Sequence, residues 1–241
     1  MSLDGKSVLI TGAARRVGRV LALAVAAAGG DLILHFSQSQ PEAESARDQV
    51  IALGRRAVIL QADLDDPQQA ADLIPRALEH GPLFALVNNA SIFEPLTWED
   101  TTLESWERHL RVNLTAPFLL SQAFARSLPQ DAAGRIVNLL DWRALRPAAD
   151  HLPYTISKAA LAALTHSLAA ALAPRVTVNG LALGAILPPS DGAAVNTILE
   201  KVPAQRWAEL DEVAQALLFL LDGPAYLTGD ILYLDGGRHL I

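Results

Sequence analysis

The sequence predicts an α/β fold built on a doubly wound parallel sheet with helices on both faces, and three observations carry that expectation. Short β-branched runs alternate with longer Ala-rich helical patterns from one end of the chain to the other, which is how a parallel sheet covered on both faces reads. The first of these runs leads directly into a turn of small residues and then a helix, as in a nucleotide-binding βαβ unit. Finally, 241 residues with 51% hydrophobic and 19% charged side chains supply one core of single-domain size. The expectation is a single Rossmann-type domain spanning 1–241, with no linker, internal repeat or low-complexity tract.

In chain order, the strand candidates are Ser7–Ile10, Asp31–Phe36, Ala57–Leu60, Ala85–Asn88, Arg135–Leu140, Val176–Leu181 and Ile231–Leu234. Helical stretches such as Arg16–Ala28 and Gln69–His80 lie between them. The segment Leu183–Arg206 is loosely patterned and carries Pro188, Pro189, Gly192 and Pro203, so it reads as a mobile substrate lid. Leu114–Ala125 and Ala159–Leu172 are apolar nearly all round and rich in Ala. A helix without a polar face has to be buried, which predicts a homo-oligomer built on these two helices; burial inside the monomer is the other reading.

Composition excludes several classes of function. Nineteen Lys and Arg against 26 Asp and Glu leave a net charge of −7 and a pI near 5.3, which argues against nucleic-acid binding. The absence of Cys removes disulfides, thiolate chemistry and Cys-based metal centres, and no metal is expected. Met1–Ile10 has no signal-peptide pattern. The longest uncharged stretch, Ala159–Pro174, has 16 residues and falls short of a membrane span. A cytoplasmic protein with no membrane partner is expected.

Two ends of a site can be read from the residues. The turn Thr11-Gly12-Ala13-Ala14-Arg15-Arg16-Val17-Gly18 places a helix N-terminus where its N–H groups can face a phosphate. The stretch His35-Phe36-Ser37-Gln38-Ser39 has no carboxylate to bind ribose hydroxyls before Glu42, while Arg15 offers a guanidinium to a ribose phosphate. That combination favours NADP(H) over NAD. Farther on, Pro153 opens a helix that carries Tyr154 and Lys158 four residues apart on one face. An adjacent ammonium is expected to pull the phenol down toward neutrality and make it a usable proton donor.

Together with Ala62-Asp63-Leu64, Asn88-Asn89-Ala90, Asn113 and the terminal Leu227-Thr228-Gly229 and Asp235-Gly236-Gly237, these pieces resemble the short-chain dehydrogenase/reductase family over essentially the whole chain. The resemblance implies that Gly12, Val17, Gly18, Asp63, Leu64, Asn88, Ala90, Tyr154, Lys158, Gly184 and Ile186 meet the cofactor, with Asp63 on the adenine. It implies that Lys158 also binds the nicotinamide ribose, that Asn113 helps hold a relay water, and that the assembly is a tetramer.

Asp141 stands where that family carries a serine, thirteen residues before the tyrosine, and Arg16 stands in place of the middle glycine. An ionised carboxylate can only accept hydrogen bonds and would repel a developing oxyanion, so a nitrogen heterocycle suits it better than a ketone. With Ser91-Ile92-Phe93, these departures resemble the pteridine reductase branch. That resemblance implies a pteridine substrate, with Phe93 stacked on the pterin, Ser91 hydrogen-bonded near it, and Arg16, Asp141 and Tyr154 around it. Leu183 replaces a family proline, and Gln38 stands where this branch commonly has an arginine for the cofactor phosphate. An NADPH-dependent ketone or 3-oxoacyl reductase remains the alternative. A dinucleotide sensor without catalysis is disfavoured because Tyr154, Lys158 and Asn113 are all present.

Overall fold

The computed structural model describes residues 3–187 and 198–241. The middle of the expected lid, 188–197, lies outside the described residues. The elements in order are β1 Ser7–Ile10, α1 Arg16–Ala27, β2 Asp31–Phe36, α2 Gln40–Ala52, β3 Ala57–Gln61, α3 Pro67–Leu78, β4 Ala85–Asn88, α4 Leu103–Leu110, α5 Ala116–Ser127, β5 Gly134–Asp141, α6 Leu152–Leu172, β6 Val176–Leu183, α7 Leu210–Asp222 and β7 Ile231–Leu234. Among the described residues the strands form one sheet in the order β3-β2-β1-β4-β5-β6-β7, parallel at every pairing. The strand order reverses between β1 and β4, and the carboxyl ends of these two strands open the crevice in which such sheets bind ligands.

One face of the sheet buries Leu21 and Val25 of α1 with Leu217 and Leu221 of α7, while the other buries Leu73 of α3 with Leu120 and Phe124 of α5. All six residues of β2 are buried, which explains a continuous aliphatic run where a half-exposed strand would alternate. Helix α3 starts two residues earlier than its apolar pattern suggests. The Asp66 carboxylate accepts from Gln68 N at 2.9 Å and Gln69 N at 3.4 Å, and Pro67 follows as the first helical residue.

β5 and β6 also outrun their apolar stretches, because their ladder continues to the pair Asp141↔Leu183. Asp141 is thereby fixed as the last residue of a central strand. The expected helix Leu114–Ala125 begins inside a π-helical turn, Arg111–Thr115, that joins α4 to α5. Helix α6 runs for 21 residues, long and apolar enough to cross a membrane by composition. Here Tyr154, Ser157, Lys158, Leu161 and Thr165 are buried along it, and it lies against β5 and β6; Ile156 on α6 and Phe118 on α5 stay exposed. At the far end of the lid segment, Val202 is buried and Ala204 N donates to Gly236 O at 3.0 Å, so that end is tied to the turn after β7.

Candidate active site

The crevice begins at the turn between β1 and α1. Gly12 has φ 63°, and a Cβ there would sit 3.1 Å from Ala90 Cα; a Cβ on Gly18 would run into the Gly12 carbonyl oxygen. Only glycine fits both places. Arg16 has φ 50° and occupies the left-handed region without being glycine, the backbone consequence of standing where the family glycine belongs. Helix α1 has no side-chain cap and no acid in its first turn, so its free N–H groups are left for an anion.

A cleft of about 490 Å³ opens over this turn and is lined by Arg15, Arg16, Val17, Ser37, Gln38, Ser39, Asp63, Leu64, Ala90 and Ser91, with Gly12, Gly18, His35 and Phe36 at its floor. Its size, glycine cradle and uncapped helix fit a dinucleotide. Arg15 is 63% exposed and reaches Glu42 only at 3.9 Å, which leaves its charge free to meet a phosphate.

Three side chains expected at this end are engaged by the protein itself. His35 accepts from Gly12 N through Nδ1 at 3.1 Å and donates through Nε2 to Ala62 O at 3.0 Å. Burial lowers it to about 4, against the Ala62 hydrogen bond, so it is a neutral staple in the cleft wall. Asn88 turns into the interior and donates to Asn138 Oδ1 at 2.8 Å and Ser121 Oγ at 3.3 Å. Its neighbour Asn89 lines the cleft and donates to Thr11 O at 2.8 Å. β4 ends at Asn88, and alternation along the strand points that side chain into the core. The Ile186 side chain belongs to the core beside α7, while Gly184 lies against the backbone of Asp235.

At the catalytic end, Tyr154 Oη donates to Asp141 Oδ2 at 3.0 Å, and Lys158 Nζ donates to Leu139 O at 2.7 Å. Burial first, then the charge and hydrogen bond of Asp141, push the phenol well above its ordinary value, with Arg143 pulling the other way. This corrects the expected lowering. The Lys158 ammonium is 5.9 Å from the Tyr154 ring centre, and the nearer Asp141 charge outweighs it. Burial lowers Lys158 itself to about 8 despite Asp141.

The side chain of Asn113 has no hydrogen-bonding capacity left for a relay water, which leaves only its backbone carbonyl for that role. Its Oδ1 accepts from Ile92 N at 2.9 Å and Ser91 Oγ at 3.0 Å, and its Nδ2 donates to Ile92 O at 3.1 Å and Ser157 Oγ at 3.0 Å. Its side chain instead ties the Ser91–Ile92 loop to α6. Phe93 is 53% exposed, but one face is already stacked on His151 at 4.1 Å and its ring meets Tyr154 edge-on at 4.6 Å. A flat substrate therefore takes the other face or displaces His151.

Sequence reasoning missed the residues that surround this pair. Arg143 N donates to Asp141 Oδ1 at 2.8 Å, and its guanidinium lies 3.8 Å from the same oxygen. The guanidinium also donates to Asp150 Oδ2 at 3.0 Å, an oxygen shared with His151 Nδ1 at 3.0 Å. Arg108, paired with Glu94 at 3.0 Å, joins the cleft wall. The only advance signal was the density of polar residues between Asp141 and Tyr154.

A parallel sheet with a phosphate-binding turn, a carboxylate–phenol pair and a buried lysine defines a dinucleotide-dependent oxidoreductase. The short chain dehydrogenase family model matches residues 6–197, and the chain belongs to that family. Among solved structures, it is similar to FolM alternative dihydrofolate reductase 1 from Brucella canis, complexed with NADP, at 34% identity and TM-score 0.92 over 100% of this chain and 97% of that one. It is also similar to a short chain dehydrogenase from Burkholderia cenocepacia in complex with NADP, at 36% identity and TM-score 0.93 over 99% of each chain. Among curated relatives, a 3-oxoacyl-[acyl-carrier-protein] reductase from Synechocystis is 32% identical over 98% of both chains.

Proposed function

We propose that this short-chain reductase uses NADPH to reduce a carbon–nitrogen double bond of a dihydropteridine of the biopterin, monapterin or folate type. The cofactor is NADP(H), the molecule held by several structural neighbours. The observation that carries the substrate reading is Asp141, whose Oδ2 accepts the Tyr154 phenol at the position of the family serine. A carboxylate here accepts from a ring N–H and disfavours a developing oxyanion.

When bound, NADPH supplies the hydride. The chain's own residues position and protonate. The α1 N-terminus, Arg15, Ser37 and Ser39 bind phosphate, and Lys158 fixes the ribose. Arg16, Ser91 and Phe93 orient the flat ring beside Asp141, and Tyr154 carries the proton that the reduced nitrogen takes, so positioning supplies much of the rate. The residues that hold the ring are themselves anchored: Ser91 through Asn113, and Phe93 against Tyr154.

The deciding experiment is NADPH oxidation with a dihydropteridine series beside a ketone and acyl-thioester panel. Pterin-dependent turnover in the parent, lost in Asp141→Ser, supports the proposal. Turnover confined to ketones or acyl thioesters overturns it in favour of the second reading, a 3-oxoacyl-type reductase, which the curated relatives favour. On either reading the protein acts in the cytoplasm as a homo-oligomer, a tetramer by family likeness, joined through the faces bearing Phe118 and Ile156. Sedimentation as a monomer would refute that assembly.

A further inference from the structure

We propose that Arg143 is a positioning residue for proton delivery: it holds the Asp141 side chain aimed at the Tyr154 phenol and, through Asp150, holds His151 over Phe93. The proposal rests on Asp141 and Tyr154 as the proton-handling pair, but not on the identity of the substrate.

The geometry is that of a clamp. The backbone N–H of Arg143 binds Asp141 Oδ1 at 2.8 Å and its guanidinium approaches the same oxygen at 3.8 Å, which leaves Oδ2 to the phenol at 3.0 Å. The other arm of the fork binds Asp150 at 3.0 Å, and Asp150 binds His151, whose ring covers Phe93. Burial works against ionisation of Asp150, yet Arg143 and His151 hold it below the ordinary carboxylate value. The Arg143 side chain is 16% exposed, and its Nε is buried with no hydrogen-bond partner among the described residues. The fork has committed its outer nitrogens to the two acids at the expense of the inner one, so this placement costs stability.

Charged and titratable groups reach Asp141 from each surrounding element. Arg143 comes from the turn after β5, Tyr154 and Lys158 from α6, and Arg238 from the turn after β7, with Asp150 facing it across Arg143. Lys158 donates to the Leu139 carbonyl and Arg238 lies against Trp142 at 4.3 Å. Arg143 is the cation in ion-pair contact with the carboxylate. Its planar fork serves two acids at once, which a lysine cannot do.

The test compares the parent, Arg143→Gln, Arg143→Lys and the same changes in an Asp141→Asn background. The first readout needs no substrate: the ring resonances of His151, assigned by their loss in His151→Asn, should lose the ring-current shift of the Phe93 stack in Arg143→Gln. On whichever substrate the panel identifies, kcat of Arg143→Gln should fall about tenfold, the worth of one charge-assisted contact, with NADPH affinity unchanged. Arg143→Lys keeps the charge without the planar fork and should restore only part of that loss. Arg143→Gln should have no further effect in the Asp141→Asn background. An equal loss in the Asn background, or a loss of NADPH affinity that matches the loss of kcat, would show a merely structural role and overturn the proposal. If Arg143→Gln does not fold, Arg143→Lys decides: a partial loss of kcat that vanishes in the Asn background supports the proposal, and parental kcat or an equal loss in both backgrounds overturns it.

Discussion

Tyr154 and Asp141 meet across 3.0 Å, one from the first turn of α6 and the other from the last residue of β5. The phenol proton is therefore directed at a carboxylate before any substrate arrives. An acceptor-only partner orients the donor and keeps it protonated, whereas a serine would share the proton both ways.

Replacing Tyr154 by Phe removes the donor and leaves Asp141 Oδ2 without its hydrogen bond. Turnover should fall by about 10² to 10⁴, the usual worth of a positioned acid, while NADPH affinity measured by fluorescence titration stays near the parental value. Unchanged turnover would show that the proton takes another route.

Lys158 is buried as an ammonium lowered to about 8. The unfolded chain binds its proton up to about 10.4, so between these values the unfolded state holds more protons and the folded state gains stability as pH rises. Against Lys158→Met, the parent should gain about 3 kcal/mol between pH 8 and 10.5, read by urea unfolding at the two pH values. A constant difference would mean that Lys158 titrates in the folded protein as it does in the unfolded chain.

His35, lowered to about 4 by burial, gives the acid-side counterpart. The folded protein keeps His35 neutral while the unfolded chain takes up a proton below about 6.5, so stability is lost as pH falls from 6.5 to 4. The loss should be about 3 kcal/mol and should be absent in His35→Asn. Cofactor choice should not change in that variant, because the ring carries no charge at neutral pH.

Much of this site was legible in the sequence, for identifiable reasons. Tyr154 and Lys158 are read from their spacing on one helix face, and Asp141 from the resemblance, which puts it where the family has a serine. Gly12 and Gly18 are read from a turn that tolerates nothing larger. The strands were placed to within two residues because aliphatic runs mark them, and they ended early where the ladder continues under polar residues such as Asp141. Direction was the harder matter. Asn88 and Asn89 are identical in type and adjacent, and only the end of β4 decides which one faces the cleft. His35 was legible as a residue of the cleft, but nothing in the sequence shows that Ala62 and Gly12 take both its ring nitrogens. Arg143, Asp150 and His151 lie in a short irregular segment without periodicity, so their convergence is visible only in three dimensions.

Arg16 adopts φ 50°, a conformation that costs a non-glycine residue about 1 kcal/mol. Arg16→Gly should therefore stabilise the protein by about that amount in thermal unfolding and, on the proposed function, raise the KM for a dihydropteridine. A variant that is more stable with an unchanged KM would remove Arg16 from the substrate pocket.

Arg15 has only a distant acidic partner. If it meets the ribose phosphate, Arg15→Ala should raise the KM for NADPH about tenfold, the loss of one charge-assisted hydrogen bond, and leave the KM for NADH unchanged. Equal effects on both cofactors would place its contribution on the shared pyrophosphate.

One hydroxyl governs the mouth of the crevice. Thr11 Oγ1, at the end of β1, accepts from both Asn89 N and Ala90 N at 2.9 Å, just past the end of β4. The β1–β4 ladder ends at Ile10↔Val87, and just beyond it a single side-chain atom acts as the keystone. That edge of the crevice is pinned by paired bonds to backbone, while Phe93 on the far side is met by a stacked side chain, His151. The crevice thus has one jaw set by the backbone and another set by side chains, so substitution can reshape the second without disturbing the first.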